Sequence, residues 1–174
     1  MNSRHLIILM ALSGAININA QRTVQTLKNG WEFCRGDSFN ESVSQKVTVP
    51  HDWAIYGPFD RKHDLQVVAV EQNGEAEATE KTGRTGGLPF IGKGIYRTVF
   101  EVPDTTSRTI TLVFDGVMSN ADVTLNGKKV ISWPYGYNSF YAVVDGIAVP
   151  GENHLEVACE NKDGQSRWYP GAGI

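Results

Sequence analysis

The sequence is short of cysteine, of excess basic charge and of long apolar runs, and each shortage excludes a class of protein. Two cysteines in 174 residues are too few for a disulfide framework. A net charge of −3 leaves no basic face for nucleic acid or for an anionic membrane, so neither is an expected partner. The length fits a single domain.

The two cysteines are predicted to be free thiols without a catalytic role. Cys34 alternates with Trp31 and Phe33 and therefore faces the opposite side of its strand, whereas Cys159 falls on the apolar face of its own strand. Side chains placed in this way do not favour pairing with each other.

Familiar catalytic and metal-binding motifs are also missing. The stretch GLPFIGKG at 87–94 nearly matches a phosphate-binding loop, but Gly94 stands where that loop needs Ser or Thr, and a strand follows it instead of a helix. His51 and His63 lack the short spacing of metal ligands, and no Gly-x-Ser-x-Gly is present. We therefore predict no metal, no organic cofactor and no nucleophilic centre.

Acidic residues cluster in one long polar segment, 56–93, which is predicted to run over the surface. Its glutamates include Glu71, Glu75, Glu77 and Glu80. Glycoside hydrolysis needs two carboxyl groups at a fixed separation, one of them in a setting that raises its pKa. A solvated segment provides neither condition, so these glutamates are interpreted as a hydrated face.

The only marked apolar run lies at the N-terminus. Arg4 and His5 precede the apolar run Leu6–Leu12, and Ala20 provides the small residue after which a signal peptide is cleaved. This pattern is typical of a cleavable signal peptide over 1–20, too short to span a bilayer, with a mature chain starting at Gln21. The alternatives are a buried N-terminal helix or a membrane anchor. The prediction is a secreted or periplasmic protein with no membrane contact after cleavage.

The rest of the chain is predicted to be β structure. Asn126-Gly127 is typical of a tight hairpin, and no stretch has a helical period over three turns. Short strands at close spacing favour a two-sheet sandwich. The predicted strands are Gly30–Cys34, Gly94–Val102, Arg108–Phe114, Ala121–Leu125, Lys128–Ser132, Ser139–Val144 and His154–Glu160.

Aromatic residues in turn-rich stretches suggest carbohydrate as a ligand, because an aromatic ring can cover the C–H face of a sugar. The alternative is that they are core residues, which is the preferred reading for Trp31, Trp53 and Trp133; for Trp168 and Tyr169 the two readings stay open. The set also includes Tyr56, Tyr135 and Tyr137.

Seven short motifs in order make the chain resemble the N-terminal domain of glycoside hydrolase family 2, and most of all its bacterial β-galactosidase-type members. The likeness runs from Trp31 to Ile174. The motifs are GWEF (30–33), VPHDWAI (49–55), GKGIYRTVF (92–100), FDGVMSNADVTLNGKKV (114–130), PYGYNSF (134–140), ENHLEV (152–157) and SRWYPGAGI (166–174).

The resemblance implies an all-β jelly-roll sandwich of the galactose-binding-domain-like kind over 21–174. In the family, a separate barrel domain carries both catalytic glutamates of a retaining mechanism. No residue of this chain therefore inherits a catalytic role. Arg167 and Trp168, with Asp52 as a third, are the candidates for contact with the sugar. Ser166 and Arg167 stand where galactosidases of the family can have an acidic residue, which leaves the sugar undefined.

Three functions follow as hypotheses. The first is the sugar-binding domain of a longer exported hydrolase, with a β-galactoside or related glycoside and the barrel as partners. In this case the chain, inactive alone, ends before the family's next strand and leaves an open sheet edge. The second is a free-standing, non-catalytic lectin-like module. The third is a purely structural domain that touches no sugar.

Overall fold

The computed structural model describes residues 22–60, 67–69, 78–80, 90–104, 108–161 and 171–174. Within them are two short 3-10 helices, Glu41–Val43 and Trp53–Tyr56, and ten strands. The strands are β1 (Trp31–Arg35), β2 (Gln45–Val47), β3 (Val67–Ala69), β4 (Ala78–Glu80), β5 (Gly92–Val102), β6 (Thr111–Phe114), β7 (Ala121–Leu125), β8 (Lys128–Trp133), β9 (Phe140–Val143) and β10 (Gly151–Asn161).

The main layer is a six-stranded antiparallel sheet in the order β2-β1-β5-β10-β7-β8. Its centre is the pair β5 and β10, which align over their full lengths from Gly92↔Asn161 to Val102↔Gly151. β6 and β9 form a separate antiparallel pair, and β3 pairs with β4.

Alternation along the strands builds one core between the sheets. In β10 the burial pattern places Leu155, Val157 and Cys159 inward, while the residues between them are half-buried or exposed. In the β6–β9 pair, Leu112, Phe140 and Ala142 are buried, whereas Val113 and Tyr141 face outward. Apolar residues of both sheets pack into a single cluster, which confirms the predicted β-sandwich.

All seven predicted strands are present, with ends that differ by up to three residues. The prediction missed β2, which has three residues, two of them exposed, and is defined by its register against Trp31–Phe33. The segment 56–93 is predicted to run over the surface, ordered or not, and β3 and β4 pair within it. The predicted signal peptide, 1–20, lies outside the described residues and stays a prediction.

The Asn126-Gly127 hairpin between β7 and β8 is confirmed, with φ of 51° and 76° at the two residues. The Asn126 amide also has a role that the sequence did not indicate. Its Nδ2 donates to Oδ1 of Asn153 at 2.9 Å and to the Ile147 carbonyl at 3.0 Å. Asn153 is fully buried and donates in turn to the carbonyls of Val149 and Gly151, so a satisfied amide network fixes the start of β10.

Both cysteines are free, as predicted, and both are buried. Burial raises the pKa of the Cys159 thiol, because a thiolate is disfavoured in an apolar core. Cys34 does face away from Phe33, yet it is covered by the chain that follows β1: its sulfur accepts from the Asn40 N–H at 3.4 Å. In the part of the chain that the structure describes, no helix is long and apolar enough to cross a bilayer.

Candidate functional site

Asp52 lies in a small layer of backbone segments together with Gly171–Ile174, the segment that follows Arg167 and Trp168 in the sequence. We call the segments His51–Trp53, Met118 and Gly171–Ile174 the terminal layer. Gly171–Ile174 lies in the middle of it and forms isolated antiparallel bridges from Gly173 to Asp52 on one side and to Met118 on the other.

Backbone hydrogen bonds hold this segment on both sides. The His51 N–H donates to the Ile174 carbonyl at 2.6 Å, and the Trp53 N–H donates to the Ala172 carbonyl at 2.9 Å. On the other side, the Met118 N–H donates to the Gly173 carbonyl at 2.9 Å, and the Gly173 N–H donates back at 3.1 Å. Residues 171–174 are therefore fixed between two neighbours, much as a central strand is.

Glycine at position 173 is required by this packing. Its φ of +146° is a conformation that other residues rarely adopt, and a Cβ there would lie 1.8 Å from the His51 carbonyl oxygen. Ala172 beside it is 1% exposed. A side chain larger than hydrogen at 173 would push the segment away from His51.

Asp52 is the one predicted site residue that the structure describes, and it ties the terminal layer together. It caps the helix Trp53–Tyr56, with Oδ1 accepting from the Ala54 N–H at 2.9 Å. The same oxygen accepts from the Ala172 N–H at 3.1 Å. Asp52 thus has a positioning role that the sequence did not indicate, and its predicted contact with sugar stays a prediction.

Arg167 and Trp168 lie outside the described residues. In the sequence they directly precede the segment that Asp52 anchors. Their predicted contact with sugar therefore remains a prediction.

A buried aromatic cluster supports the layer from beneath. Phe33 stacks on Trp53 with ring centroids 5.4 Å apart and contacts Tyr96 at 4.7 Å. Gly94 allows this packing, because a Cβ on it would lie 2.5 Å from the Trp53 ring. Trp31 and Trp53 are 3% and 1% exposed, so the core reading is confirmed for them. Trp133 is half-buried and packs against the core.

His51 joins the cluster to the layer through a polar contact that the sequence did not reveal. Its Nδ1 lies 2.8 Å from the hydroxyl of Tyr96, which donates to the His51 carbonyl at 3.1 Å. Burial lowers the pKa of His51 and outweighs the opposing effect of Asp52. Burial also raises the pKa of Tyr96, so both side chains are neutral at pH 7. Only the alternation of β5 could have indicated that Tyr96 is buried.

An open groove of about 1300 Å³ borders this cluster along the β1–β2 side of the main sheet. Its wall combines exposed and buried aromatics with charged groups, a lining suited to a polar ligand with apolar faces. Arg97 lies over the Phe39 ring at 4.2 Å and pairs with Glu156 at 2.7 Å. Further lining residues are Trp31, Arg35, Glu41, His51 and Tyr56.

Tyr135 and Tyr137 lie away from this groove, in the loop between β8 and β9. They are 53% and 62% exposed, and their ring centroids are 5.6 Å apart. These two tyrosines are therefore not core residues of the sandwich. Among the described residues, no group of three or more His, Cys, Asp or Glu side chains could hold a metal ion.

Comparison with known proteins links this domain to carbohydrate-active enzymes. Residues 90–167 match the family model described as the glycosyl hydrolase 2 galactose-binding domain-like domain. The chain is 32% identical over 154 residues to β-galactosidase BoGH2A of Bacteroides ovatus, an alignment that covers 83% of the chain and 16% of the relative. It is 25% identical to a β-glucuronidase of Bacteroides fragilis, covering 95% of the chain and 20% of the relative.

Solved structures of glycosidases are also similar to this chain. A glycosyl hydrolase family 2 member from Bacteroides cellulosilyticus superimposes with a TM-score of 0.70 at 28% identity, covering 86% of the chain and 19% of that protein. A β-glycosidase from Bacteroides vulgatus gives 0.63 at 28% identity, covering 84% and 18%. The chain spans less than a quarter of the length of each of these four proteins.

Proposed function

We propose, from the match of residues 90–167 to the glycosyl hydrolase 2 galactose-binding domain-like model and from the similarity to family 2 glycosidases, that the β-sandwich is the N-terminal sugar-binding and scaffold domain of a longer glycosidase of β-galactosidase type. The parent reaction would be retaining hydrolysis of a terminal β-galactoside or a related glycoside. Two carboxyl groups in a barrel elsewhere in the polypeptide would carry out the chemistry.

The observation that carries the proposal is the anchoring of Gly171–Ile174 by Asp52 and by the backbones of His51 and Met118. A rigid layer that follows Arg167 and Trp168 in the sequence meets the requirement that a binding subsite have a fixed support. In this role the Trp168 ring would cover the C–H face of the sugar, and Arg167 would donate hydrogen bonds to its hydroxyl groups.

Relatives named for β-galactosidase and β-glucuronidase activity both align with this chain. The proposed substrate is therefore a β-glycoside, with a β-galactoside as the first choice. The identity to BoGH2A, 32%, is higher than the 25% to the Bacteroides fragilis β-glucuronidase and than the 29%, over 97% of the chain, to a second protein named as a β-glucuronidase, from Formosa agariphila. No organic cofactor enters the proposed reaction.

Sugar binding is tested by calorimetric titration of the purified chain with methyl β-galactoside. Binding that is lost in Arg167→Ala and Trp168→Ala but kept in Arg108→Ala would support the assignment. Arg108 is a suitable control because it is an exposed arginine just before β6 and does not line the groove. Equal affinity in all three variants, each shown to be folded, would contradict it.

The place in a longer enzyme is tested by the coding DNA beyond codon 174 and by an activity assay. Continuation into a barrel domain is expected, as is no turnover of a chromogenic galactoside by the chain alone. Turnover that persists through further purification would overturn the assignment of catalysis to another domain.

Export is proposed from residues 1–20, with secretion or transfer to the periplasm. N-terminal sequencing of the mature protein from its native host should begin at Gln21. A mature chain that retains Met1 would contradict export by a cleaved signal.

A further inference from the structure

The loop between β8 and β9 displays two tyrosines that the function proposed above does not use. Tyr135 and Tyr137 are both more than half exposed, and their rings are inclined at 56° with centroids 5.6 Å apart. The rings therefore form an open V on the surface. Exposed aromatic area of this kind is unfavourable in water and is often kept for binding.

The loop that carries the pair is held at both ends. The rings of Trp133 and Phe140 stack with centroids 5.5 Å apart, and Phe114 stacks on Phe140 at 4.8 Å. The Asn120 N–H also donates to the Pro134 carbonyl at 3.2 Å. A loop held in this way loses little conformational entropy when a ligand arrives.

Between the two tyrosines, Gly136 rests directly on Met118. A Cβ on Gly136 would lie 2.3 Å from the Met118 sulfur and 3.1 Å from its Cα. Met118 is itself bridged to Gly173, and Gly173 to Asp52. The tyrosine loop therefore continues the terminal layer as its next neighbour. Two residues of the layer, Gly173 and Met118, therefore separate the tyrosine loop from Asp52.

The segments that carry and support the tyrosine pair contain almost no charged residues. Residues 114–120 and 133–141, which form the loop and its seat, contain one charged residue, Asp115, and neither Lys nor Arg. A uronate carboxylate would find no cation in these segments, whereas an uncharged pyranose could place its C–H face on one ring and its edge against the other.

We propose that Tyr135 and Tyr137 form a second carbohydrate subsite, which binds an uncharged β-linked oligosaccharide at a sugar unit distant from the one near Asp52. The subsite rests on the proposed function for its place beside a terminal-sugar site. Its own evidence is the exposed, inclined and rigidly seated ring pair. It would favour extended over single sugars.

The test compares sugars of different length and charge on the intact chain. With tyrosine rings isotopically labelled, NMR titration with a β-linked galactose tetrasaccharide should shift the rings of Tyr135 and Tyr137. The ring of Tyr141, which is 67% exposed on β9, should not shift. The tetrasaccharide should bind at least tenfold more tightly than methyl β-galactoside, and more tightly than a tetrasaccharide that contains glucuronate.

Variants complete the test. Tyr135→Ala/Tyr137→Ala should weaken tetrasaccharide binding at least tenfold and leave methyl β-galactoside binding unchanged, while Tyr141→Ala should change neither. Tyr135→Phe/Tyr137→Phe should keep the binding, since the ring faces remain. A tetrasaccharide that binds no better than the monosaccharide, or shifts neither ring, would overturn the subsite. Wild-type affinity for the tetrasaccharide in the folded double-alanine variant would also overturn the subsite. The exposed pair would then be interpreted as a contact with protein.

The two proposals fail separately. If Arg167→Ala and Trp168→Ala leave methyl β-galactoside binding intact while the tyrosine rings still respond to the tetrasaccharide, the proposed function loses its site and the subsite stands. If the binding of methyl β-galactoside depends on Arg167 and Trp168 but the NMR signals of the two tyrosine rings do not shift with the tetrasaccharide, only the subsite is refuted.

Discussion

The β5–β10 pair and the terminal layer are both antiparallel backbone arrangements, yet different forces hold them. β5 and β10 share eleven register pairs, from Gly92↔Asn161 to Val102↔Gly151, and their inward side chains fill the core. In the layer, Gly171–Ile174 is held by backbone hydrogen bonds, by the Asp52 carboxylate and by the packing of Ala172 and Ile174 against the core.

The difference has a physical consequence. Stability of the sheet is spread over many apolar contacts, so it behaves as one cooperative unit. The layer has fewer apolar contacts and depends more on particular hydrogen bonds, so it can open locally while the sheet stays folded. If the layer positions a sugar site, the domain combines a stable scaffold with a site that single substitutions can disturb.

The largest effect is expected in the sheet. Leu125 of β7 is fully buried, and its truncation in Leu125→Ala leaves a cavity, so the free energy of unfolding should fall by about 3 kcal/mol. Urea denaturation measures the loss. Val113→Ala is the control, because Val113 is 60% exposed on β6 and should cost less than about 0.5 kcal/mol. Equal losses would show that the core does not carry the stability.

The next effect tests the layer. Gly173→Ala should cost about 2 kcal/mol, because it combines an unfavourable φ with a clash against the His51 carbonyl. Hydrogen exchange should speed up at the amides of His51, Trp53 and Met118 and stay slow in β10.

Gly127→Ala is the matched control for this substitution. Its φ is also positive, at +76°, but nothing lies within 4 Å of the added Cβ, so about 1 kcal/mol of conformational strain is expected with no change in the layer. Slow exchange in the layer of Gly173→Ala would refute the close fit described for that glycine.

A smaller effect is expected at Asp52, where two substitutions distinguish a role in positioning the terminal layer from a role in binding sugar. Asp52→Ala removes the helix cap and the acceptor for Ala172, and should cost about 1 kcal/mol. Asp52→Asn keeps an acceptor oxygen and should be nearly as stable as the wild type by thermal denaturation. If Asp52→Asn also keeps full affinity for methyl β-galactoside, the carboxylate serves the layer alone and its predicted sugar contact is wrong.

The smallest effect is electrostatic and lies on the outer face of the sheet. Hydrogen bonds from Lys129 and Ser132 lower the pKa of Asp122 below its usual value. A lowered folded-state pKa stabilises the fold above the unfolded pKa, and this contribution is lost as the pH falls through the folded value. Because the pair is exposed, the contribution is below about 0.5 kcal/mol.

Asp122→Asn should therefore unfold at a slightly lower urea concentration than the wild type at pH 7. The difference should vanish at pH 2 and shrink in 1 M salt, since salt screens exposed charges. A difference that persists at pH 2 would mean that the substitution acts through packing and not through charge.

Local signals in the sequence predicted the sheets well. Strands such as Ala121–Leu125 alternate clearly, and the positive φ values that Asn126-Gly127 tolerates define the hairpin that follows. Free cysteines followed from the same alternation. By contrast, β2 was missed because its three residues carry little apolar pattern and depend on Trp31–Phe33 for their register.

The candidate site was only partly predictable. Asp52 was selected by resemblance as a sugar contact, whereas the structure shows its carboxylate bonded to Ala54 and Ala172. Nothing local indicates a partner 120 residues away. The same holds for His51 and Tyr96, which are 45 residues apart in the chain and in hydrogen-bond contact in the fold.

The sequence by itself determined the β-sandwich, the hairpin at Asn126-Gly127 and the resemblance to glycoside hydrolase family 2, because alternation, turn residues and ordered motifs are properties of neighbouring residues. Only the tertiary structure brought Asp52, Met118 and Gly173 into one layer with Gly136 beside it, and separated the buried Trp53 from the exposed Tyr135 and Tyr137. The physical reason is that packing between distant segments decides which backbone atoms meet and which aromatic rings are covered.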